Sequence, residues 1–322
     1  MLIPALFCRW NFSGPVFGIP AITFWPYIAG GITLAIGLFC LPKRDIRCAG
    51  GLDKLFWFAP LLVAIAMAIF GADHFTTVHF VAMIVPAWMP WRLFWAYFVG
   101  CALLASALSL SSTVRWRLAA TLLGSMLLLF VVLMHIPNLI REPQLGFVRT
   151  LILRDTALGA GILSFGISRN TFAPRVIAIT RFLLAFPIAI FGFELFRHPA
   201  LAPGFPQEDP TVVITLPAWI PVHALWTYMT GAIFIACAVG LTTKRYARVS
   251  AKTLGVTVLV SVFLAYLPRT INKAADVAGG LNYLAIHCAL AGAALMLAAS
   301  IPSNWMEETS RARKLQEVSV SR

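Results

Sequence analysis

The sequence predicts an all-α polytopic membrane protein: two parallel four-helix transmembrane bundles preceded by one extra N-terminal span. Three observations lead there. Of 322 residues, 60% are hydrophobic and 11% charged, and a mean hydropathy of +0.86 lies above the range of water-soluble domains. Apolar runs of roughly 18 to 22 residues, each long enough to cross about 30 Å of hydrocarbon as a helix, recur along almost the whole chain. Finally, residues 86–100, PAWMPWRLFWAYFVG, return at 217–231 as PAWIPVHALWTYMTG. The same shift of 131 positions pairs Leu110 with Leu241, Arg117 with Arg248, Gly124 with Gly255, Pro137 with Pro268 and Gly161 with Gly292 without a gap. That is an internal duplication.

Spans are expected near 21–42, 55–72, 93–112, 118–137, 150–168, 176–196, 224–243, 250–268 and 280–300. Strands are excluded, because the runs lack a period of two and are about twice as long as a barrel strand needs. Residues 1–54 hold a short outer segment, the first span and a cytoplasmic loop. The first unit follows at 55–175 and the second at 176–301, with a charged cytoplasmic tail at 302–322. In the second unit the loop after the first helix is about ten residues longer, and its stretch LAPGFPQEDP reads as irregular. An even number of spans separates equivalent positions, so the two units point the same way across the membrane.

The charges set the orientation. With nine spans and the N-terminus outside, 16 of the 25 Lys and Arg fall on the cytoplasmic side, 7 fall outside and 2, Arg154 and Arg181, lie within spans. This bias selects an extracytoplasmic N-terminus and a cytoplasmic C-terminus, in a multi-pass protein of a bacterial-type plasma (inner) membrane. It also accounts for the net charge of +13 without nucleic acid, since no basic stretch is interleaved with exposed aromatics. The bilayer is the expected partner. The six cysteines form no CxxC pair and no metal-like spacing, so they read as small hydrophobes and no metal site is expected. No cleavable signal peptide is expected either, as the first residues lack a basic n-region and a small-residue cleavage site.

Each unit opens its second helix with W-x-Y-x-x-G after a Pro-x-x-x-Pro corner, and in the first unit a G-x-x-H-F end closes the first helix. The carrying residues are Gly71, His74, Phe75, Pro86, Pro90, Trp95, Tyr97, Gly100, Ala107, Leu110, Arg117 and Pro137. This pattern resembles the DoxX-like family of four-helix membrane proteins, here in tandem over about three quarters of the chain. The family takes its name from a subunit of a thiosulfate:quinone oxidoreductase, so the resemblance implies a quinone-linked redox role with partner subunits. The second unit departs from the pattern with Leu195 where His74 stands.

Ionisable groups within or at the edge of spans suggest function by default. In the first unit Asp73, His74, His135, Arg154 and Asp155 are expected at one outer depth. An Asp155–His135 pair there can exchange protons with a quinol headgroup, which makes Asp73, His74, His135 and Asp155 the candidate catalytic residues. Arg154, Trp95 and Tyr97 are the candidate substrate-binding residues. Adjacent residues do not share a helix face, so Asp155 is expected to face His135 while Arg154 snorkels to headgroups or meets Asp73. The other reading is a polar clamp on helix ends. In the second unit Tyr266, Ala285 and Ile286 replace His135, Arg154 and Asp155, while Glu194 replaces Asp73. Arg181 is expected to snorkel to the cytoplasmic side. Haem is disfavoured, because only His287 lies deep in a span with no second histidine opposite. Phosphate-loop, H-E-x-x-H and G-x-S-x-G motifs are absent from the sequence. Three classes of function stay open: a membrane subunit of a quinone-linked redox system, a non-catalytic membrane scaffold, and a small-molecule or lipid transporter. The last has less support, for want of a Gly/Pro helix break shared by the two units.

Overall fold

The computed structural model describes residues 19–144, 146–204 and 214–302. Residues 1–18, most of the inserted loop and the charged tail lie outside these. Every regular element among the described residues is helical: α1 (Ala21–Cys40), α2 (Lys43–Cys48), α3 (Ala59–Thr76), α4 (Val78–Ile84), α5 (Arg92–Ser112), α6 (Trp116–Phe130), α7 (Ile136–Arg141), α8 (Gly146–Ile167), α9 (Ala173–Arg197), α10 (His223–Thr242), α11 (Ala247–Ser261), α12 (Leu267–Asn272) and α13 (Asn282–Ser300). A 3-10 turn, Gly51–Trp57, leads into α3, and π-turns Val131–His135, Val262–Tyr266 and Val277–Leu281 join α6 to α7, α11 to α12 and enter α13. Nine of these helical stretches among the described residues are long and apolar enough to cross a membrane. Only helices satisfy their own backbone in hydrocarbon, which is why near-continuous apolar sequence resolves into them. Pro60 does not interrupt α3 but stands in its first turn, where no N–H is needed.

Positions 131 apart share local geometry. The two residues before the second helices, Trp91 and Val222, both adopt left-handed φ, 54° and 52°, directly after Pro90 and Pro221. The π-turns 131–135 and 262–266 both precede a proline by one residue. Pro137 and Pro268 offer no N–H to the carbonyl four residues back, and the wider i→i−5 register absorbs the mismatch, as in Ile136 N–H to Val131 O and Leu267 N–H to Val262 O. Glycines hold the helices close. A Cβ on Gly100 would lie 2.8 Å from His74 Cβ and 3.0 Å from Phe75, and one on Gly231 would lie 3.3 Å from Leu195 Cβ and 3.0 Å from Phe196. Small residues at such crossings are what lets membrane helices gain packing energy, since lipid supplies no hydrophobic drive between them.

The expected pair of self-contained four-helix bundles is corrected by the packing. Within each unit, neighbours in sequence pack closely: α3 on α5 and α6 on α8, then α9 on α10 and α11 on α13. The first and last helices of a unit, α3 and α8 or α9 and α13, do not close the ring. Instead α13 packs against both α3 and α8, and α8 packs against both α13 and α9. Each unit therefore lends its fourth helix to the other, and α8 and α13 form a shared spine. A Cβ on Gly161 would stand 2.4 Å from Ala293 O, and one on Gly292 would stand 2.7 Å from Ala59 O, so backbone meets backbone there. Across the α8–α9 boundary Ser164 and Thr180 hydroxyls are hydrogen-bonded at 2.6 Å. A single apolar core runs through both units. Helix α1 lies outside the ring against α3 and α5.

At the end of the molecule where α6 and α11 begin, equivalent arginines close the spine. Arg117 donates to Phe165 O at 2.9 Å, and Arg248 donates to Ala298 O at 3.3 Å and to Ile301 O. Both satisfy carbonyls that a helix C-terminus leaves without partners. Arg248 and Lys252 also hold Asp53 at 2.9 and 2.7 Å, which ties the segment before α3 to the second unit. Arg181, expected to snorkel, is instead 6% exposed and donates through Nε to Leu241 O at 2.9 Å. The orphaned carbonyl at the end of α10 gives it a partner inside the protein, so it has no reason to reach for headgroups.

Candidate functional site

His135 is the last residue of the first π-turn, and the extra residue in that turn re-aims its ring towards α8. There its Nε2 lies 3.0 Å from Asp155 Oδ2. Both residues are 5% exposed. A lone carboxylate at this depth would cost several kcal/mol, and two partners offset that cost: His135, and Arg154, whose Nε is 3.0 Å from Asp155 Oδ1. Arg154 thus neither reaches the headgroups alone nor meets Asp73. Adjacent positions lie on different faces of the helix, but the long Arg154 side chain reaches Asp155 all the same, with 20% of it still exposed.

A carboxylate can only accept, so His135 Nε2 donates to Asp155, and in the neutral ring Nδ1 is the accepting nitrogen. His135 Nδ1 is buried and has no partner among the described residues. The two histidines in comparable helical positions behave differently: His74 and His287 each turn Nδ1 to the carbonyl four residues back, Phe70 O and Tyr283 O, at 2.7 Å. His135 lines a cleft of about 310 Å³ formed by α4, the Pro86 corner, α7 and the start of α8. Its walls include Met83, Val85, Pro86, Phe147 and Leu151, and charge enters at Arg92, Arg141 and Glu142. Asn138 Nδ2 donates to Ile84 O at 3.4 Å and so pins α7 to the wall. The arrangement is a cleft of mixed apolar and charged lining with the His135 imidazole in its wall, oriented by Asp155.

The other candidates are elsewhere. Asp73 sits on the far side of α3, where its carboxyl faces the Asn282 side chain of α13; Asp73 Oδ1 and Asn282 Oδ1 lack partners among the described residues. His74 lies against Gly100 at the α3–α5 crossing. Tyr97 packs on Phe75 with ring centroids 5.6 Å apart, and Trp95 packs edge-on against Phe94 and Phe98. Neither aromatic lines the cleft. The expectation that all five ionisable groups of the first unit converge is therefore corrected: helices α3 and α8 are kept apart by α13, and depth alone does not bring residues together. Arg92 and Arg141 went unnoticed in the sequence, where they read as outer-loop cations; only the fold of α4 and α7 brings them to one rim.

The corresponding place in the second unit is filled. Tyr266, at the His135 position, donates its hydroxyl to Pro203 O at 3.2 Å and stacks on His287 with centroids 3.7 Å apart. Gly204, at φ 149°, lies against both rings, where a Cβ would meet His287 Nε2. Ile214 and Leu216, equivalent to the cleft residues Met83 and Val85, join Ala202, Ile220 and Tyr266 in a small apolar cluster. The Arg92 position is His223, bonded to Pro217 O at 3.1 Å. Ala202, Pro203 and Gly204, the described start of the longer loop, pack against Tyr266 here.

Among the described residues no group of His, Cys, Asp and Glu is arranged to hold a metal ion. Searches against family models, curated proteins and solved structures found no match for this chain.

Proposed function

We propose that this protein is a DoxX-like membrane subunit of a quinone-linked redox system, built by tandem duplication, in which only the first unit keeps a working site. A quinol entering the cleft between α4, α7 and α8 gives a hydroxyl proton to His135 Nδ1. Asp155 stabilises the imidazolium and Arg154 fixes Asp155. The second hydroxyl proton leaves through the cleft mouth to outer water, and the two electrons of quinol oxidation pass to a partner redox protein. In this reading the cleft faces the extracytoplasmic side of a bacterial inner membrane, as the Lys and Arg bias assigns it. The observation that carries the reading is the Asp155-tethered imidazole of His135 in the wall of the cleft, whose buried Nδ1 has no partner among the described residues; a small turn of the ring brings that nitrogen to a ligand, and a base with one nitrogen tethered and the other unpaired suits proton transfer.

The test is equilibrium binding of a quinone-headgroup analogue to the full-length protein in lipid nanodiscs. The wild type should bind and His135→Ala should bind at least tenfold more weakly. If the wild type does not bind, the Arg154–Asp155–His135 group is a structural clamp and the protein is better read as a non-catalytic scaffold.

A further inference from the structure

We infer that Arg92 and Arg141 make this cleft selective for the anionic form of its ligand, so that the species held is a ring-bearing acid such as a quinol monoanion; the inference rests on the quinol reading above. Arg92, at the start of α5, and Arg141, at the end of α7, both line this cleft. Neither has an ion pair or side-chain hydrogen bond among the described residues. The other charges at the cleft do not cancel them. Glu142 offsets one of them. Arg92 and Arg141 against Glu142 leave the rim with a net positive charge. In the second unit His223 and Asn272 stand at these positions, and Tyr266 packs there against Ala202 and Ile214. The shared fold therefore does not require the cations.

The chemistry is a single proton transfer. The O–H bond of the quinol breaks, an N–H bond forms at His135 Nδ1, and no electron moves. The products are an imidazolium beside Asp155 and a ring oxyanion in the cleft. That oxyanion is disfavoured in a partly apolar cleft unless cations face it, and charge-assisted hydrogen bonds from guanidinium are the strong kind. Arg92 and Arg141 sit where the new charge appears.

The experiment compares two probes with one skeleton, an alkylated 2-hydroxy-1,4-naphthoquinone, ionised at pH 8, and its neutral 2-methoxy ether. Both are titrated against full-length protein in zwitterionic nanodiscs. The anion should bind about tenfold more tightly than the ether. Arg92→Gln and Arg141→Gln should each reduce that preference severalfold while leaving ether binding unchanged, and Glu142→Gln should increase it. Equal binding of the two probes, or Arg variants that weaken both alike, overturns the selectivity and leaves the quinol reading intact. Failure of both probes to bind the wild type overturns the quinol reading with it. Replacing the lipid by phosphatidylglycerol should change anion binding less than twofold. Complete competition by that lipid would mean the cations serve headgroups, and would also overturn the inference.

Discussion

Tyr266 occupies in the second unit the place that His135 occupies in the first, each closing a five-residue π-turn one residue ahead of a proline. The backbone is the same and the chemistry is opposite. His135 lines a cleft and keeps a buried Nδ1 without a partner among the described residues, whereas Tyr266 donates its hydroxyl to Pro203 O and packs against Ala202 and Ile214. The two turns are alike in backbone and differ in the side chain they present.

The first prediction follows from that asymmetry. Glu194 pairs with Arg197 at 3.3 Å and His198 at 3.5 Å on an exposed surface, where ion pairs contribute about 0–1 kcal/mol. Glu194→Gln should leave quinone-analogue binding and thermal stability close to wild type. A larger loss there than in His135→Ala, measured side by side, would show that the site has been placed in the wrong unit.

Asp155 should matter more to stability than His135. Asp155→Ala strips Arg154 and His135 of their acceptor, at roughly 2–3 kcal/mol; that is below the 3–5 typical of a fully buried pair, because Arg154 keeps 20% exposure. His135→Ala leaves Asp155 with Arg154 and should cost about 1 kcal/mol beyond the small cavity it opens. Thermal denaturation in detergent orders the two, and the reverse order contradicts the description of the network.

The shared spine gives a third prediction. Gly161→Ala puts a methyl against the backbone of α13, so α8 and α13 must part, and overpacking of this kind costs about 1–3 kcal/mol. Gly31→Ala on the outer α1 meets nothing within 4 Å and should be neutral or slightly stabilising. If the two substitutions shift the melting temperature equally, α8 and α13 are not in backbone contact.

Much of this was legible in the sequence and some could not be. The nine spans follow from run length, because each helix must satisfy its own backbone in lipid. The pairing of His135 with Asp155 followed from their common depth on adjacent helices. The exchange of fourth helices did not. Gly161 and Gly292 mark close approaches, but a glycine does not say which helix approaches it, and α13 is apolar on every face. The same gap hid the neighbours of Asp73 and His74, which are Asn282 and Gly100. Arg181 was misread because a buried arginine needs a carbonyl from another helix, Leu241 O, that no local pattern announces.

Orientation supplies the fourth prediction. Reporter fusions after Arg197 and after Arg322 should report opposite sides of the membrane, with the C-terminal one cytoplasmic. Both on one side would contradict a nine-span topology.

The most direct test of the central claim is photolabelling of the full-length protein in nanodiscs with an azido-quinone, followed by mass mapping of the labelled peptides. The account predicts labelling within 83–92 and 135–151, suppressed by unlabelled quinone analogue and lost in His135→Ala. Labelling of 214–223 and 266–282 to the same degree, or label spread over lipid-facing positions without competition, would contradict it.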